Sequence, residues 1–420
     1  MSFNMVMKKI VFKTDLFPGN SETFIINQVT GAIKMGYDVS LIVNEKNDVT
    51  QSSQQELIKK YKLAEKTFEI KNIRPNNPLN VLFMALKIVL KKRYPAALLK
   101  TFNYFKYKKA GLSGRLFYDL ISIYPFLNAD LFHVQFGIFA EPLVRLKKQG
   151  LLKASIVTTF HGFDVHFNSN TYHKRKESYR NLFAVGSFFT CNTKYLANQL
   201  IQLGCPPEKL EIIPMGIDIS FFKPLNHKKV SDRIHLISVG RLIKFKNHKD
   251  GIRAVAELIE RGYDVFYTII GEGKEYKNLK NLINKLGLVD HVLLAGAKSQ
   301  KFIRDTMQRA DIFLMTSVQD ETGRRETQGV VTGEAQACGL PVVAFNSGGV
   351  PYTMIDGETG FLSEENDYQD MAKNIEKLIT NPGLRKQMSE KARQFVTEHY
   401  ALESSAEKMQ MLYQKLLQQN

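Results

Sequence analysis

Short apolar segments alternate along the chain with longer segments whose apolar residues recur at helical spacing. The first unit has an apolar strand at Ile10–Phe12, a loop at Phe17–Ser21, a helix with Ser21 as N-cap, and a strand at Val39–Val43. Because a strand, a helix and a second strand in this order form a parallel pair, the pattern predicts an α/β fold with parallel sheets. No Gly-x-Gly-x-x-Gly motif is present, so a dinucleotide-binding fingerprint is not supported.

The alternation restarts after Phe222, which indicates a second domain. A chain of 420 residues is also too long for one ordinary core. We predict a first domain at residues 1–218, a second at residues 219–400, and a C-terminal helix at residues 401–420 that would pack back on the first domain. Further strands are predicted at Leu131–Val134, Ser155–Phe160, Phe188–Cys191, Ile234–Val239, Phe266–Gly271, Val292–Ala295 and Ile312–Met315.

Residues 79–126 interrupt the alternation with helical periodicity and many basic and aromatic side chains. No Asp or Glu occurs between Lys87 and Tyr118. A basic helix with apolar neighbours is typical of a membrane surface, and a solvated helix face is the alternative. We expect this basic helical insertion to bind an anionic membrane, with aromatic side chains among its cations. Those aromatic residues are Phe102, Tyr104, Phe105 and Tyr107, and the cations include Lys91, Lys92, Arg93, Lys100, Lys106, Lys108, Lys109 and Arg115.

Charge is unevenly distributed between the two halves. The net charge is +17, and 44% of residues are hydrophobic, as in a globular protein. Up to Phe222 there are 30 Lys and Arg against 16 Asp and Glu, and beyond it 28 against 25. The two halves are therefore expected to have different partners, and the basic half favours an anionic membrane, a phosphorylated substrate or nucleic acid.

Several features predict a cytoplasmic protein. Met1–Lys9 is polar, so no secretory leader is expected. No apolar run reaches the roughly 18 residues that a membrane-spanning helix needs. The three cysteines, Cys191, Cys205 and Cys338, are odd in number and scattered, which argues against disulfides and zinc.

The stretch Glu326–Val343, ETQGVVTGEAQACGLPVV, carries the most specific chemistry. It predicts a loop with Glu326, a helix that starts after Gly329 and contains Glu334, and a stop at Gly339. A helix N-terminus attracts phosphate, so a carboxylate beside it is expected to face sugar hydroxyls or a developing positive charge. For either Glu alone, a dipole partner or a solvated side chain is the commoner outcome.

Other candidate residues follow predicted strands. Arg241 and Lys246 flank one strand-to-helix loop, and two cations there suit a diphosphate, although surface cations are common. His161 follows a strand in the run His-Gly-Phe-Asp, and His133 lies on the preceding strand. Ligands of open α/β sheets bind at the carboxyl ends of strands, so both histidines are candidates, although a lone His is more often structural.

Together these motifs resemble the retaining glycosyltransferases of family 4, which have the two-domain GT-B fold. The resemblance rests on the two Glu of E-x7-E, on G-R-L…K-N, on HGFD and on the crossover segment IPMGIDISFFKP. The opening FPGNSETFI resembles a subgroup that acts in bacterial exopolysaccharide and colanic-acid assembly. Thr327 and Gln328 depart from the family pattern, which more often has Gly and an aromatic residue there.

The resemblance implies two Rossmann-like domains that face each other across a cleft, the first for the acceptor and the second for a nucleotide-sugar. Arg241 and Lys246 would neutralise the diphosphate, helped by the N–H groups of Gly329, Val330 and Val331. Glu334 would bind the ribose hydroxyls, Glu326 the donor sugar, and His161 would orient that sugar from the opposite wall. Gly19, Asn20, Ser21 and His133 would lie on the acceptor side.

The same resemblance implies a hexosyl transfer with retained anomeric configuration, no cofactor and no metal. No Asp-x-Asp motif occurs in the chain. The expected donor is UDP- or GDP-linked and the expected acceptor is a lipid-diphosphate-linked sugar or a polysaccharide of the bacterial cell surface. The protein would work at the inner face of the plasma membrane.

Two alternatives stay open from the sequence. The first is a nucleotide-sugar epimerase, which can share this architecture but needs acid and base groups on both walls. The second is a non-catalytic basic module that binds RNA or membrane. Nucleic-acid binding predicts aromatic–Arg platforms or a known motif, and none occurs, so no nucleic-acid partner is expected.

Overall fold

A computed structural model of the protein describes residues 7–19, 23–52, 54–70, 74–92, 94–225 and 233–418. The strands of the first domain are β1 (Lys9–Lys13), β2 (Leu16–Phe17), β3 (Asp38–Val43), β4 (Glu45–Lys46), β5 (Thr67–Glu69), β6 (Leu131–Gln135), β7 (Ser155–Thr159), β8 (Phe188–Cys191) and β9 (Leu210–Ile212). Seven of them form a parallel sheet in the order β5-β3-β1-β6-β7-β8-β9, and β2 pairs with β4.

Helices connect these strands, as parallel pairing requires. β6 and β7 are buried along their whole length, because central strands of a parallel sheet are covered on both faces. The helices are α1 (Thr23–Lys34), α2 (Gln55–Lys60), α3 (Pro78–Lys92), α4 (Tyr104–Leu112), α5 (Arg115–Ile123), α6 (Glu141–Lys148), α7 (Tyr172–Val185) and α8 (Lys194–Gln202). The basic insertion thus consists of α3, α4 and α5 with a 3₁₀ helix at Ala96–Phe102.

The second domain repeats the architecture with the strands β10 (Ile234–Val239), β11 (Val265–Ile270), β12 (Val292–Gly296), β13 (Ile312–Met315), β14 (Val342–Phe345) and β15 (Gly360–Ser363). They form a six-stranded parallel sheet in the order β12-β11-β10-β13-β14-β15. Its helices are α9 (His248–Glu260), α10 (Tyr276–Lys285), α11 (Gln300–Met307), α12 (Val330–Ala337), α13 (Tyr368–Thr380) and α14 (Pro382–His399). The predicted α/β class with two parallel-sheet domains is confirmed.

The chain returns to the first domain at its C-terminal end. Ile217, in the crossover segment, accepts a hydrogen bond from Leu402 N and donates one to Tyr400 O. The last helix, α15 (Leu402–Gln418), then buries Met409, Leu412 and Tyr413 in the apolar cluster that contains Ile10 of β1. This helix therefore couples the two ends of the chain through apolar burial.

The described residues contain no helix that is both long enough and apolar enough to span a bilayer. The three cysteines are buried and unpaired. Further 3₁₀ turns occur at Val49–Gln51, Tyr124–Phe126, Gly137–Phe139, Pro207–Lys209, Lys244–Lys246 and Val350–Thr353.

Candidate active site

Lys246 and Glu326 form an ion pair at the edge of the second sheet. Lys246 ends the 3₁₀ turn after β10, and Glu326 lies in the loop between β13 and α12. Lys246 Nζ donates to Glu326 Oε2, and the two side chains are only 14% and 16% exposed. The sequence predicted separate partners for these residues, the diphosphate for Lys246 and the sugar for Glu326. In the structure each is the partner of the other.

The surroundings of Glu326 keep it ionised. Burial alone would raise the pKa of its carboxyl, but the Lys246 ammonium, with Arg324 as a second cation, holds that pKa below its usual value. Ser317 Oγ lies 3.5 Å from the same carboxylate oxygen. Glu326 is therefore a charged acceptor whose negative charge is largely balanced by its neighbour.

Arg241 lies on the same loop and is exposed. Among the described residues, its side chain has no ion pair or hydrogen bond. The carbons of Lys246 pass over Gly240, whose added Cβ would lie 3.5 Å from Lys246 Cδ. The loop between β10 and α9 thus presents one free guanidinium beside one paired ammonium.

The helix that starts behind Glu326 is α12. Gly329 is its N-cap and has a φ of 69°, a left-handed conformation that favours glycine. Val330 and Val331 are its first residues, and the first N–H groups of a helix have no carbonyl partner within it. The predicted helix N-terminus is thus present in the backbone, and phosphate binding there stays a prediction.

Glu334 lies one turn into α12 and is half-buried. Within the described parts of the chain, its carboxylate has no hydrogen-bond donor. Burial raises the pKa of this carboxyl to about 7. A half-buried carboxylate without a donor is suited to accept hydrogen bonds from two neighbouring hydroxyls of a ligand.

His161 lies in the first domain, two residues after the end of β7, and its carbonyl accepts a hydrogen bond from Thr327 Oγ1 of the second domain. Its ring packs against Phe24 at 4.3 Å and Phe136 at 4.7 Å between centroids. Nε2 lies 2.8 Å from Gln135 Oε1, and Gln135 donates its own amide N–H to Gln28 at 2.8 Å. The oxygen of Gln135 therefore faces His161, so Nε2 carries the proton and Nδ1 is an acceptor.

That acceptor is unused within the structure. His161 Nδ1 is buried and has no hydrogen-bond partner among the described residues. Burial lowers the pKa of His161 to about 3, so the ring is neutral at physiological pH. A neutral buried acceptor without a donor is suited to bind a hydroxyl group.

Asp164 shapes the loop that carries His161. Its fully buried carboxylate accepts from the N–H groups of Gly137, His161 and Gly162 at 2.8, 3.2 and 3.0 Å. Burial raises its pKa, and these three donors oppose that shift. The Asp164 carboxylate thus fixes the His-Gly-Phe-Asp turn through hydrogen bonds to the backbone of the same turn.

His133 is a core residue, which corrects its assignment to the acceptor side. It is 0% exposed in the middle of β6, with Nδ1 2.6 Å from Tyr413 Oη and Nε2 2.6 Å from Thr159 Oγ1. Burial lowers its pKa to about 3. Both ring nitrogens are occupied within the core, so none is left for an acceptor. Position on a strand suggested a ligand, but the strand extends to Gln135 and leaves His133 inside the sheet.

The other acceptor-side residues are only partly described. Gly19 is buried in the segment that follows β2, and Asn20 and Ser21 lie outside the described residues. Phe24, in the first turn of α1, contacts the His161 ring. The N-terminal end of α1 therefore lies beside His161.

Two charged or titratable residues at this interface were missed by sequence reasoning. His166 is 8% exposed and faces Arg324, Asp320 and Glu326 of the second domain; burial, with the charge of Arg324, lowers its pKa to about 4. The Arg324 guanidinium stacks on Phe245 at 4.8 Å. A cavity of about 440 Å³ adjoins it between the loops at 243–249 and 318–324. The repeated His in HGFDVH and the charge-rich loop before Glu326 were the available signals.

The described ranges contain no group of three or more His, Cys, Asp or Glu residues arranged to hold a metal ion. The basic side chains described at the candidate site are Arg241, Lys246 and Arg324.

Two domains of parallel sheet are the architecture of the GT-B glycosyltransferases, and comparisons with known proteins show that the chain is one of them. The family description "Glycosyltransferase Family 4" matches residues 21–221, and "Glycosyl transferases group 1" matches residues 222–395. The chain belongs to glycosyltransferase family 4.

Among its relatives are proteins of exopolysaccharide synthesis. The chain is 33% identical to the amylovoran biosynthesis glycosyltransferase AmsK of Erwinia amylovora, over 87% of this chain and 89% of that protein. It is 30% identical to the putative colanic acid biosynthesis glycosyltransferase WcaL of Salmonella typhimurium, with the same coverage. The predicted resemblance to this subgroup is confirmed.

Solved structures share the fold. A glycosyltransferase from Rickettsia africae superposes with a TM-score of 0.73 at 20% identity, covering 99% of this chain and all of that one. Anabaena Alr3699/HepE in complex with UDP-glucose superposes with a TM-score of 0.70 at 18% identity, covering 97% and 99%.

Proposed function

We propose that this protein transfers a hexose from a UDP- or GDP-sugar to a lipid-linked or polysaccharide acceptor in bacterial cell-surface polysaccharide synthesis, with retention of configuration and without a metal. Family membership supports transfer over the epimerase and the binding module. The names of AmsK and WcaL support exopolysaccharide as the product class. The neighbour solved with UDP-glucose makes UDP-sugars the first donors to test.

The proposal rests mainly on one observation, which is that the two domains present chemically different groups to each other. The second domain presents Arg241, the Lys246–Glu326 pair and the N-terminus of α12. The first presents His161, neutral, with an unused buried acceptor at Nδ1. A nucleotide-sugar has the same division, because its diphosphate is anionic and its sugar is neutral and rich in hydroxyl groups.

The proposed reaction exchanges one bond at the anomeric carbon for another. The bond to the diphosphate oxygen breaks and its electron pair leaves with the nucleoside diphosphate. An acceptor hydroxyl forms the new bond on the same face, and its proton passes to the departing diphosphate oxygen, which is the nearest base. Arg241 and Lys246 stabilise the charge that grows on the leaving group.

Glu326 supports this route rather than a covalent one. A carboxylate whose charge is balanced by a bonded ammonium is a weaker nucleophile than a free one. As the diphosphate draws Lys246 toward itself, the charge of Glu326 becomes available to the positive charge that develops on the sugar. Lys246 thus stabilises the charge on the departing diphosphate, and Glu326 stabilises the charge on the sugar.

Donor binding is tested first. Thermal unfolding is followed with UDP-, GDP- and ADP-sugars and with each free diphosphate. We expect one nucleotide to stabilise the protein and Arg241→Ala to reduce that shift, while Lys244→Ala, an exposed neighbour on the same loop, retains it. No stabilisation by any nucleotide-sugar would contradict the donor assignment.

Transfer itself is tested with the stabilising donor and lipid-diphosphate-linked acceptors. NMR of the product would show the same anomeric configuration as the donor, and activity would survive EDTA. An inverted product, or activity that EDTA abolishes and a divalent metal restores, would contradict retention or metal independence respectively.

We also propose that the basic insertion docks the first domain on an anionic membrane. Helix α3 packs Val81, Ala85 and Val89 against α5. The opposite side leaves an apolar face uncovered, with Phe83 65% and Leu90 81% exposed. Leu82 and Leu86 are also exposed there, beside Lys87 and Lys91.

Helix α4 adds a second exposed apolar group. Phe105 is 87% and Leu112 65% exposed, among the exposed Lys106, Lys108 and Lys109. Two of the predicted membrane-facing aromatic residues are not available. Tyr107 is buried in the core, and Phe102 packs on Phe117 at 5.5 Å. Apolar insertion thus falls to Tyr104, Phe105 and the α3 face, assisted by about 1 kcal/mol for each cation near the bilayer.

Vesicle co-sedimentation across a salt series tests this docking. Replacing Lys87, Lys91, Lys106, Lys108 and Lys109 by Gln should release the protein from anionic vesicles and leave nucleotide binding intact. A matched control replaces Lys274, Lys277, Lys280, Lys285 and Lys301 of the second domain by Gln, with the same change in charge. Equal partition to neutral and anionic vesicles, or equal loss in both variants, would contradict a specific docking face.

A further inference from the structure

Thr327 and Gln328, the two residues that depart from the family pattern, join the domains. They follow Glu326 directly and are 6% and 2% exposed. Their side chains make hydrogen bonds with the first domain and the crossover segment rather than with their own sheet.

Thr327 contacts the ends of two first-domain strands. Its Oγ1 donates to the carbonyl of His161 at 2.9 Å and accepts from Asn192 Nδ2 at 3.1 Å. Its own carbonyl accepts from Thr193 Oγ1 at 2.7 Å. Because Asn192 and Thr193 follow β8 as His161 follows β7, one residue holds both strand ends.

Gln328 makes a paired contact with the crossover segment. Its Oε1 accepts from Met215 N at 2.8 Å, and its Nε2 donates to Met215 O at 2.9 Å. A side-chain amide that satisfies both backbone groups of one residue fixes distance and orientation together.

The backbone on either side leaves little room for this loop to shift. A Cβ on Gly162, where φ is 125°, would lie 2.4 Å from Thr327 Cγ2. A Cβ on Gly349 of the second domain would lie 1.8 Å from the Thr327 carbonyl oxygen. The Glu326–Gln328 loop is therefore held between the His161 turn and its own domain.

We propose that Thr327 and Gln328 are positioning residues that set the separation of His161 and Glu326 across the cleft. Thr327 is bonded to the backbone of His161 and is covalently adjacent to Glu326. Its contacts thus transmit any change in domain separation directly to the two groups that face the sugar. This role rests on the proposed function, since it assumes a donor sugar between those groups.

Paired substitutions test the proposal. Thr327→Val removes the hydroxyl and keeps the shape, whereas Thr327→Ser keeps the hydroxyl and removes the methyl group. Gln328→Met keeps the length of the side chain and removes both hydrogen bonds. We expect Thr327→Val and Gln328→Met to lower kcat by about 10- to 100-fold, the range that a small misplacement of reacting groups can cost. Thr327→Ser should stay near the native rate.

Two further readouts separate positioning from other roles. The affinity for the free nucleoside diphosphate should change little, because Arg241 and Lys246, which would bind the diphosphate, both lie in the second domain. Spin labels on Lys174→Cys and Lys274→Cys, both at exposed positions of different domains, should show a broader interdomain distance distribution in Thr327→Val and Gln328→Met.

An unchanged distance distribution in both variants would overturn the proposal, as would a loss of kcat matched by an equal loss of nucleotide affinity. The distance measurement needs no substrate. If the native protein binds no nucleotide-sugar, the proposed function fails, while the spin-label result still decides whether Thr327 and Gln328 hold the domains together.

Discussion

The two walls of the cleft differ in the charge of their enclosed polar side chains. On the second domain, Lys246 and Glu326 are both charged, mostly buried and bonded to each other. On the first, His161 is equally enclosed but neutral, because burial between aromatic rings lowers its pKa to about 3. Lys246 and Glu326 keep their charges by pairing with each other, whereas the ring of His161 carries no charge.

The difference follows from what each wall can receive. A buried charge is stable only beside a partner of opposite charge. Glu326 is that partner for Lys246 until an anionic ligand takes its place. Burying a neutral acceptor without a partner costs less free energy than burying an unpaired charge, so His161 Nδ1 can stay unpaired until a hydroxyl binds. We therefore expect the charged wall to act on the leaving group and the neutral wall to act on the sugar. Substitutions on each wall can test this contrast.

The largest effect is expected from Lys246→Ala. It removes a cation that we propose to stabilise the leaving group, and it leaves Glu326 buried without its partner. The loss of one such preorganised contact costs about 2.7–4 kcal/mol, or about 100- to 1,000-fold in kcat. Steady-state kinetics of this variant and of Lys244→Ala would check it. Near-native kcat in Lys246→Ala would end the diphosphate assignment.

A smaller effect is expected from Glu326→Gln. The amide keeps the shape and removes the charge that we propose to face the sugar, so kcat should fall by about 10- to 100-fold, as for a hydrogen bond to a charged group. Affinity for the free nucleoside diphosphate should hold or rise, because Lys246 is released from its partner. Calorimetric titration measures this. Lost nucleotide affinity with unchanged kcat would mean that the role of Glu326 is misassigned.

On the neutral wall, His161→Phe keeps the ring and its packing but removes the Nδ1 acceptor. An unmade buried hydrogen bond costs about 1–3 kcal/mol, which should appear in kcat. His133→Phe is the matched contrast, since it should lower the melting temperature while the kinetics of the surviving folded protein persist. With the pKa of His161 at about 3, the native pH–rate profile should show no transition from this ring over roughly pH 5 to 8.

The smallest effect concerns Glu334, whose pKa is raised to about 7 by burial. As pH falls through about 7 the carboxyl takes up a proton and becomes a poorer acceptor, so nucleotide affinity should weaken. Because the folded pKa lies above the unfolded one, ionisation opposes folding, and stability should decline as pH rises through the same value. Glu334→Gln should flatten both profiles. A pH dependence that survives this substitution would belong to another group.

The sequence by itself determined the fold class and most of the candidate site. Strand and helix periodicities predicted two parallel-sheet domains. The predicted helix between Gly329 and Gly339 is present as α12, Val330–Ala337. The loops bearing Arg241, Lys246 and His161 follow strands as predicted. Such features depend on local spacing, which a sequence records directly.

Only the tertiary structure decided which side chains become partners. It paired Lys246 with Glu326, 80 residues apart, and enclosed His133 between Tyr413 and Thr159. It turned Phe102 and Tyr107 inward and made Thr327 and Gln328 an interdomain contact. These outcomes depend on burial and on approach between distant segments, which set the pKa and the hydrogen bonds of each group. No local pattern specifies them, because the same residue types occur on solvated surfaces and in closed sites alike.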